Sequence, residues 1–181
     1  MKMIAIKVIV VLIAIISVLM VIAMFSKKSY TLIRSITINS SKQNVYAFVR
    51  YNRNQPSYSK WLSFDPDTKI ELKGAEDGTP GAILAFNSKN HKTGTGEWEI
   101  KNIVPGERVD FELRFQAPFA FTANGYFATT ETAGNQTTLQ WVYNSGMKWP
   151  QNVMLLFMNM DKVVGTDIEA SLMNIKKHLE K

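Results

Sequence analysis

Along most of this chain apolar residues alternate with polar ones, but residues 8–25 break that rule completely. The run VIVVLIAIISVLMVIAMF has one polar member, Ser17. As a helix rising about 1.5 Å per residue it spans roughly 27 Å, close to the hydrocarbon thickness of a bilayer. The core of a cleaved export signal is shorter and gives way to a polar stretch ending in small residues. Here Val21-Ile22-Ala23 is the one small-residue site, and no polar stretch precedes it. The run therefore predicts an uncleaved single-pass membrane helix, with residues 1–29 as anchor and basic flank and residues 30–181 as one domain.

Beyond it the periods are those of ordinary secondary structure. Residues 30–39, YTLIRSITIN, are rich in β-branched side chains and predict a strand. Ser40 stands three residues before Gln43, the spacing of a capping box, and Val45, Phe48 and Val49 follow at helical intervals. A short helix is expected over 41–51 and a second over Gln55–Phe64, with Pro56 in its first turn and Trp61 as its apolar anchor. From residue 68 the period drops to two. TKIELKG, AILAFNS, TGTGEWEIKNIV, RVDFELRFQ, TANGYFATTETA and QTTLQWVYNS are six strand-like runs separated by turn residues, a pattern that predicts an antiparallel meander. In RVDFELRF, Val109, Phe111, Leu113 and Phe115 share one face and Asp110, Glu112 and Arg114 the other, so one side of the sheet is covered. The cover is a single helix over 151–180, where Val153, Phe157, Met160, Val164, Ile168, Leu172, Ile175 and Leu179 recur every three or four residues. Gly165 inside it costs about 1 kcal/mol against alanine and marks a kink or a close approach to the sheet.

This order, a strand, two short helices, six antiparallel strands and a long terminal helix, is an α+β helix-grip arrangement behind one transmembrane helix. The runs VYAFVRYNRNQPSYSKW, GTGEWEIKNIVPGERVDFELRF and WPQNVMLLFMNMDKVVGTDIEASLMNIKKHLEK resemble the START-like superfamily called SRPBCC. Within it they are similar to the polyketide cyclase/dehydrase and lipid-transport branch in its membrane-anchored bacterial form. The resemblance covers residues 30–181. It implies a deep hydrophobic cavity between sheet and terminal helix, used in different members for lipids, sterols or polyketides. It implies no single activity, because fold does not determine function.

Charge and cysteine content narrow the classes further. Of 21 Lys and Arg residues, Lys2, Lys7, Lys27 and Lys28 lie in or beside the apolar run, while all 15 acids lie beyond it; the domain balance is 17 against 15, or +2. That is no electrostatic footprint for nucleic acid, and Lys27-Lys28 suits lipid headgroups. Lys2 and Lys7 on one side nearly cancel Lys27, Lys28 and Arg34 on the other under the positive-inside rule. Short N-terminal tails commonly stay cytoplasmic, so the domain is read as extracytoplasmic. The absence of cysteine excludes disulfides, thiolate metal sites and thiol catalysis. Nothing in the sequence specifies an oligomeric state.

The candidate ligand cavity collects the aromatic and flexible residues of the expected inward faces: Trp61, Phe86, Trp98, Phe111, Phe115, Trp141 and Tyr143, with Met154, Phe157 and Met158 from the terminal helix. Each also serves as ordinary core. Methionine suits an adaptable pocket and equally fills gaps. Two carboxylates join them as internal acids, Glu97 if Trp98 faces water, and Asp161 on the helix; acid–base work needs such a group in a dry cleft. No residue is assigned a catalytic role. His91 falls in a turn and His178 near the end of the chain, so no metal site is expected, and no cofactor. TGTG at 93–96 opens a strand rather than a helix, so it reads as a bend in the sheet rather than a phosphate loop. The expected partners are a hydrophobic small molecule and, through residues 8–25, the bilayer. The competing classes are a cyclase or dehydratase using the same cavity, and an interaction module with a filled interior and an exposed apolar patch.

Overall fold

The computed structural model describes residues 2–181. A helix, α1 (Lys2–Phe25), leads after a three-residue link into β1 (Ser29–Ile38). Helix α2 (Lys42–Arg50) and a one-turn helix α3 (Gln55–Tyr58) follow, then strands β2 (Lys69–Gly74), β3 (Ala82–Asn87), β4 (Thr95–Val104), β5 (Arg108–Ala117), β6 (Phe121–Thr132) and β7 (Gln136–Gly146). The chain finishes in α4 (Thr166–Leu179). Helix α1 is long and apolar enough to cross a membrane.

All seven strands form one antiparallel sheet in the order β1-β7-β6-β5-β4-β3-β2. The meander supplies five of the six pairings, and β1 closes onto β7 from Ser29↔Gly146 to Ile38↔Thr137. This register gives the sheet two unlike ends. Ser29, Gly146, Phe121, Ala117, Thr95 and Asn87 lie at the end where α1 joins. The β4–β5 and β6–β7 turns lie at the far end.

The inner face of β5 buries Val109, Phe111 and Leu113, as the alternation predicts. Gly96 is where β4 slips by one residue against β5. A Cβ there would stand 2.5 Å from the Arg114 carbonyl oxygen and 2.8 Å from the Phe86 ring. The 93–96 bend is thus a bulge at which two strands and a ring meet, and such bulges increase local twist.

Three local expectations need correction. The α2 cap is Ser41, whose hydroxyl accepts from the Asn44 amide at 3.3 Å, rather than Ser40. Ser40 is buried, and its carbonyl accepts from the Thr137 hydroxyl. The helix expected over 55–64 breaks after Tyr58 because α4 satisfies its backbone: Ser171 Oγ accepts from the Lys60 amide at 2.9 Å, and Asn174 donates to the Tyr58 carbonyl. The terminal helix is long but does not begin at residue 151. A 3-10 stretch (Gln151–Leu156) is followed by an irregular turn, and helix restarts at Met160, where Asn159 Oδ1 accepts from the Lys162 amide.

The restarted helix opens with a π segment (Asp161–Gly165) before α4. Arg34, projecting from the inner face of β1, explains the register. Its Nη2 donates to Asp161 at 2.7 Å and its Nε to Glu169 at 2.5 Å. The guanidinium passes so near Gly165 that an added Cβ would lie 2.5 Å from Nη2. From there Ile168, Leu172 and Ile175, all fully buried, seat α4 on the sheet.

Candidate ligand site

Where α4 meets the sheet, the interior is aromatic. Trp98 stacks on Phe111 with ring centroids 3.8 Å apart, and Phe127 lies 4.5 Å from Trp141. Trp141 also meets Tyr58, Trp61, Trp98 and Phe111 edge-on. Such ring pairs add roughly 0.5–1.5 kcal/mol each beyond their buried area. Trp141 is 1% exposed, and its indole Nε1 has no hydrogen-bond partner among the described residues. A buried donor in that state costs about 1–3 kcal/mol.

Burial loosens toward the α1 end. Phe86 meets Phe115 at 5.4 Å, and Phe115 stacks on Phe121 at 4.8 Å. Trp61 lies over Tyr143, which in turn meets Tyr30. Trp61, Phe115, Phe121 and Tyr30 are all half-buried against the core. Burial raises the phenol pKa of Tyr143, with a smaller push from Tyr30, and raises that of Tyr30 itself; the Ser145 hydroxyl partly offsets both. Both phenols are therefore neutral donors across the physiological range.

The structure thus brings together Trp61, Phe86, Trp98, Phe111, Phe115, Trp141 and Tyr143. It leaves out five of the expected set. Trp98 faces inward, so Glu97 lies on the outer face of the sheet, 2.6 Å from Lys73 and 2.9 Å from Arg114. Asp161 is exposed and held by Arg34. Phe157 is 74% exposed, Met154 is exposed and Met158 half-buried, because the irregular 151–160 segment turns toward α1 rather than continuing along the sheet. Phe127 and Phe121 also belong to the cluster, outside the expected set; the alternation Ala123, Gly125, Phe127 in TANGYFATT carries the signal for Phe127. Asp167 is half-buried; burial raises its carboxyl, and Lys60 and Lys92 pull it back. His91 is exposed, and the His178 ring lies tilted against Phe48 at 4.7 Å. Among the described residues no group of three or more metal-ligating side chains comes together.

Open hollows lie elsewhere. A groove of about 650 Å³ runs between α2 and the far-end turns, lined by Lys42, Tyr46, Arg50, Glu107 and Glu131 among others. A smaller one of about 240 Å³ sits beside β2 and β3.

On the outer face, Arg114 bridges Glu97, Glu99 and Glu112, while Lys73 and Lys101 flank them. Lys73 and then Arg114 hold the Glu97 carboxyl below its usual 4.5; Lys101 and then Arg114 do the same for Glu99. A lowered folded-state pKa stabilises above the unfolded value, and that contribution is lost as pH falls through the folded one. Thermal unfolding is thus expected to drop in temperature as pH falls below the usual 4.5 of these carboxyls. In Arg114→Met the drop is shallower, because part of the stabilisation is already missing at neutral pH. Differential scanning fluorimetry on both proteins reads the two slopes.

No family model matches the sequence, and neither does any curated protein. Solved structures do match in shape. The di-domain ARO/CYC StfQ from the steffimycin biosynthetic pathway superposes with a TM-score of 0.63 at 10% identity, over 84% of this chain and 52% of that one. Aha1 from Colwellia psychrerythraea gives 0.57 at 16% identity, over 83% and 96%. Ara h 8.0201 gives 0.57 at 14% identity, over 83% and 97%. The fold is a helix grip. At such identities the likeness reaches the architecture alone.

Proposed function

We propose that this helix-grip domain is tethered to a membrane by α1 and takes up one apolar or amphipathic small molecule, of lipid, polyketide or quinone-like character, among its aromatic side chains. The observation that carries the reading is the gradient of aromatic burial. Fully buried rings around Trp141 pass into half-buried Trp61, Phe115 and Phe121, and this open side lies at the end where α1 joins. A ligand concentrated in the bilayer would meet the site directly, and tethering raises the effective concentration of one for the other. The unpartnered Trp141 indole and the neutral Tyr30 and Tyr143 phenols suit a guest with one or two oxygen acceptors on a greasy frame. Entry requires the half-buried rings to shift. The known shapes include an ARO/CYC protein of a biosynthetic pathway, but nothing comparable favours a cyclase or dehydratase here: Glu97 and Asp161 both lie outside the aromatic cluster.

The test is organic extraction of the full-length protein, purified from membranes, followed by mass spectrometry. One apolar species near one-to-one stoichiometry is the expected result. In parallel, a fluorescent fatty acid should quench tryptophan emission, with Trp61→Ala weakening its binding by about tenfold, or ~1.4 kcal/mol. A protein that is empty and also indifferent to such probes would overturn the reading. The domain is proposed to stand outside the cytoplasm, and a phosphatase fused after Lys181 should be active in intact cells.

A further inference from the structure

The 147–160 segment leaves the sheet to hold the end of α1. The Asn152 side chain, fully buried, donates through Nδ2 to the Ala23 carbonyl at 2.6 Å. The Trp149 indole donates to the Met20 carbonyl at 3.2 Å. The last four carbonyls of a helix have no partner within it, and inside a bilayer no water replaces one. Asn152 and Ser26, whose hydroxyl donates to Ile22 at 2.8 Å, cap two of them.

These bonds also set a depth. The apolar run ends at Phe25, and Met20 lies about 7 Å further in along the helix axis. If α1 spans the membrane, whatever hydrogen-bonds to Met20 and Ala23 stands level with the bilayer interface. The side chains around the contact match that level. Phe157 is 74% exposed, and Met154 and Leu156 are also exposed on the same segment. The β5–β6 loop, brought to the same end of the sheet by the Phe115↔Phe121 register, presents Phe119, 76% exposed. Exposed apolar groups gathered at one end of a domain mark an interaction surface. Lys27, Lys28 and Lys148 beside them are exposed cations suited to anionic headgroups. Indole side chains concentrate at that boundary, where Trp149 stands.

We infer that residues 149–157 and the Phe119 loop form a second membrane contact, an interfacial ledge immersed in the headgroup and upper acyl region, that holds the open aromatic side of the domain against the lipid. The occupant of this surface is the bilayer that α1 crosses. The inference rests on the reading of α1 as a span and is independent of whether a ligand is bound.

The chain has no cysteine, so a single introduced thiol carries a unique nitroxide. The full-length protein, carrying Phe119→Cys, Phe157→Cys, Ile16→Cys or Glu131→Cys, is reconstituted in vesicles of phosphatidylcholine and phosphatidylglycerol. Accessibility to oxygen and to a water-soluble nickel complex is then measured. Labels at 119 and 157 should favour oxygen over nickel at least tenfold more than the label at 131, and that at 16 more strongly still. Labels at 119 and 157 that match 131 while 16 stays lipid-exposed would overturn the ledge. An aqueous label at 16 would overturn the ledge and the span together. Phe119 and Phe157 are solvent-facing, so neither substitution removes core packing; intact folding is verified by circular dichroism in the same vesicles.

Discussion

Trp141→Ala is expected to lower the free energy of unfolding by about 3–5 kcal/mol, the range seen when a large buried aromatic is cut back to a methyl. Trp141 is among the largest fully buried side chains, and five other rings converge on it from β4, β5, β6, α3 and the segment after α3. No single neighbour can fill the space it leaves. Chemical denaturation of the full-length protein in detergent, followed by circular dichroism, reads the loss. Trp141→Phe separates packing from hydrogen bonding. It keeps most of the ring volume and removes a donor that has no partner among the described residues, so its cost should stay under about 1.5 kcal/mol. If the ligand accepts from that indole, the same variant should bind the fluorescent fatty acid several-fold more weakly. A Trp141→Ala protein as stable as the parent would show that the aromatic cluster is not the core.

Membrane attachment offers the other large effect. Ile13→Arg combined with Ile16→Arg places two guanidinium groups near the middle of the apolar run. Each costs about 2.5–3.5 kcal/mol on insertion scales, and together they shift the insertion equilibrium by roughly four orders of magnitude. The parent protein should remain with the membrane pellet after an alkaline carbonate wash, while the double variant should move to the supernatant. Retention of the variant in the pellet would mean that something other than α1 holds the domain. The ledge alone would be a weak candidate for that role, since a short interfacial contact does not resist such a wash as a span does.

The strands were readable from the chain because their cause is local. In RVDFELRF the two faces of β5 differ at every step, and a sheet with one covered face allows only one assignment of Val109, Phe111, Leu113 and Phe115. The same holds for the bend at Gly96, where a missing side chain marks a point that two strands and a ring approach. In GEWEIK the pattern is less decisive. Trp98 and Glu97 are each able to take the inner face, and the choice was made across the sheet: Phe111 offered Trp98 a stack and Trp141 an edge-on contact, while Lys73 and Arg114 offered Glu97 two cations.

Residues 151–160 show the limit of periodicity most clearly. Their apolar spacing is as helical as that of α4, and isolated reading joins the two. The decision belongs to a partner more than a hundred residues away, because the end of α1 has carbonyls to satisfy and Asn152 reaches that of Ala23, with Trp149 reaching Met20 one turn earlier, only if the helix breaks. Arg34 likewise picks out Asp161 and Glu169 from β1, a pairing that no local window contains.

The sequence by itself determined the apolar span, the order of strands and helices, and the inward face of the sheet, all set by neighbours within a few positions. Tertiary structure alone decided which carboxylates stay wet, where the terminal helix begins and which aromatics gather at the open end. Those outcomes depend on charges, carbonyls and rings that meet only after distant segments have packed together.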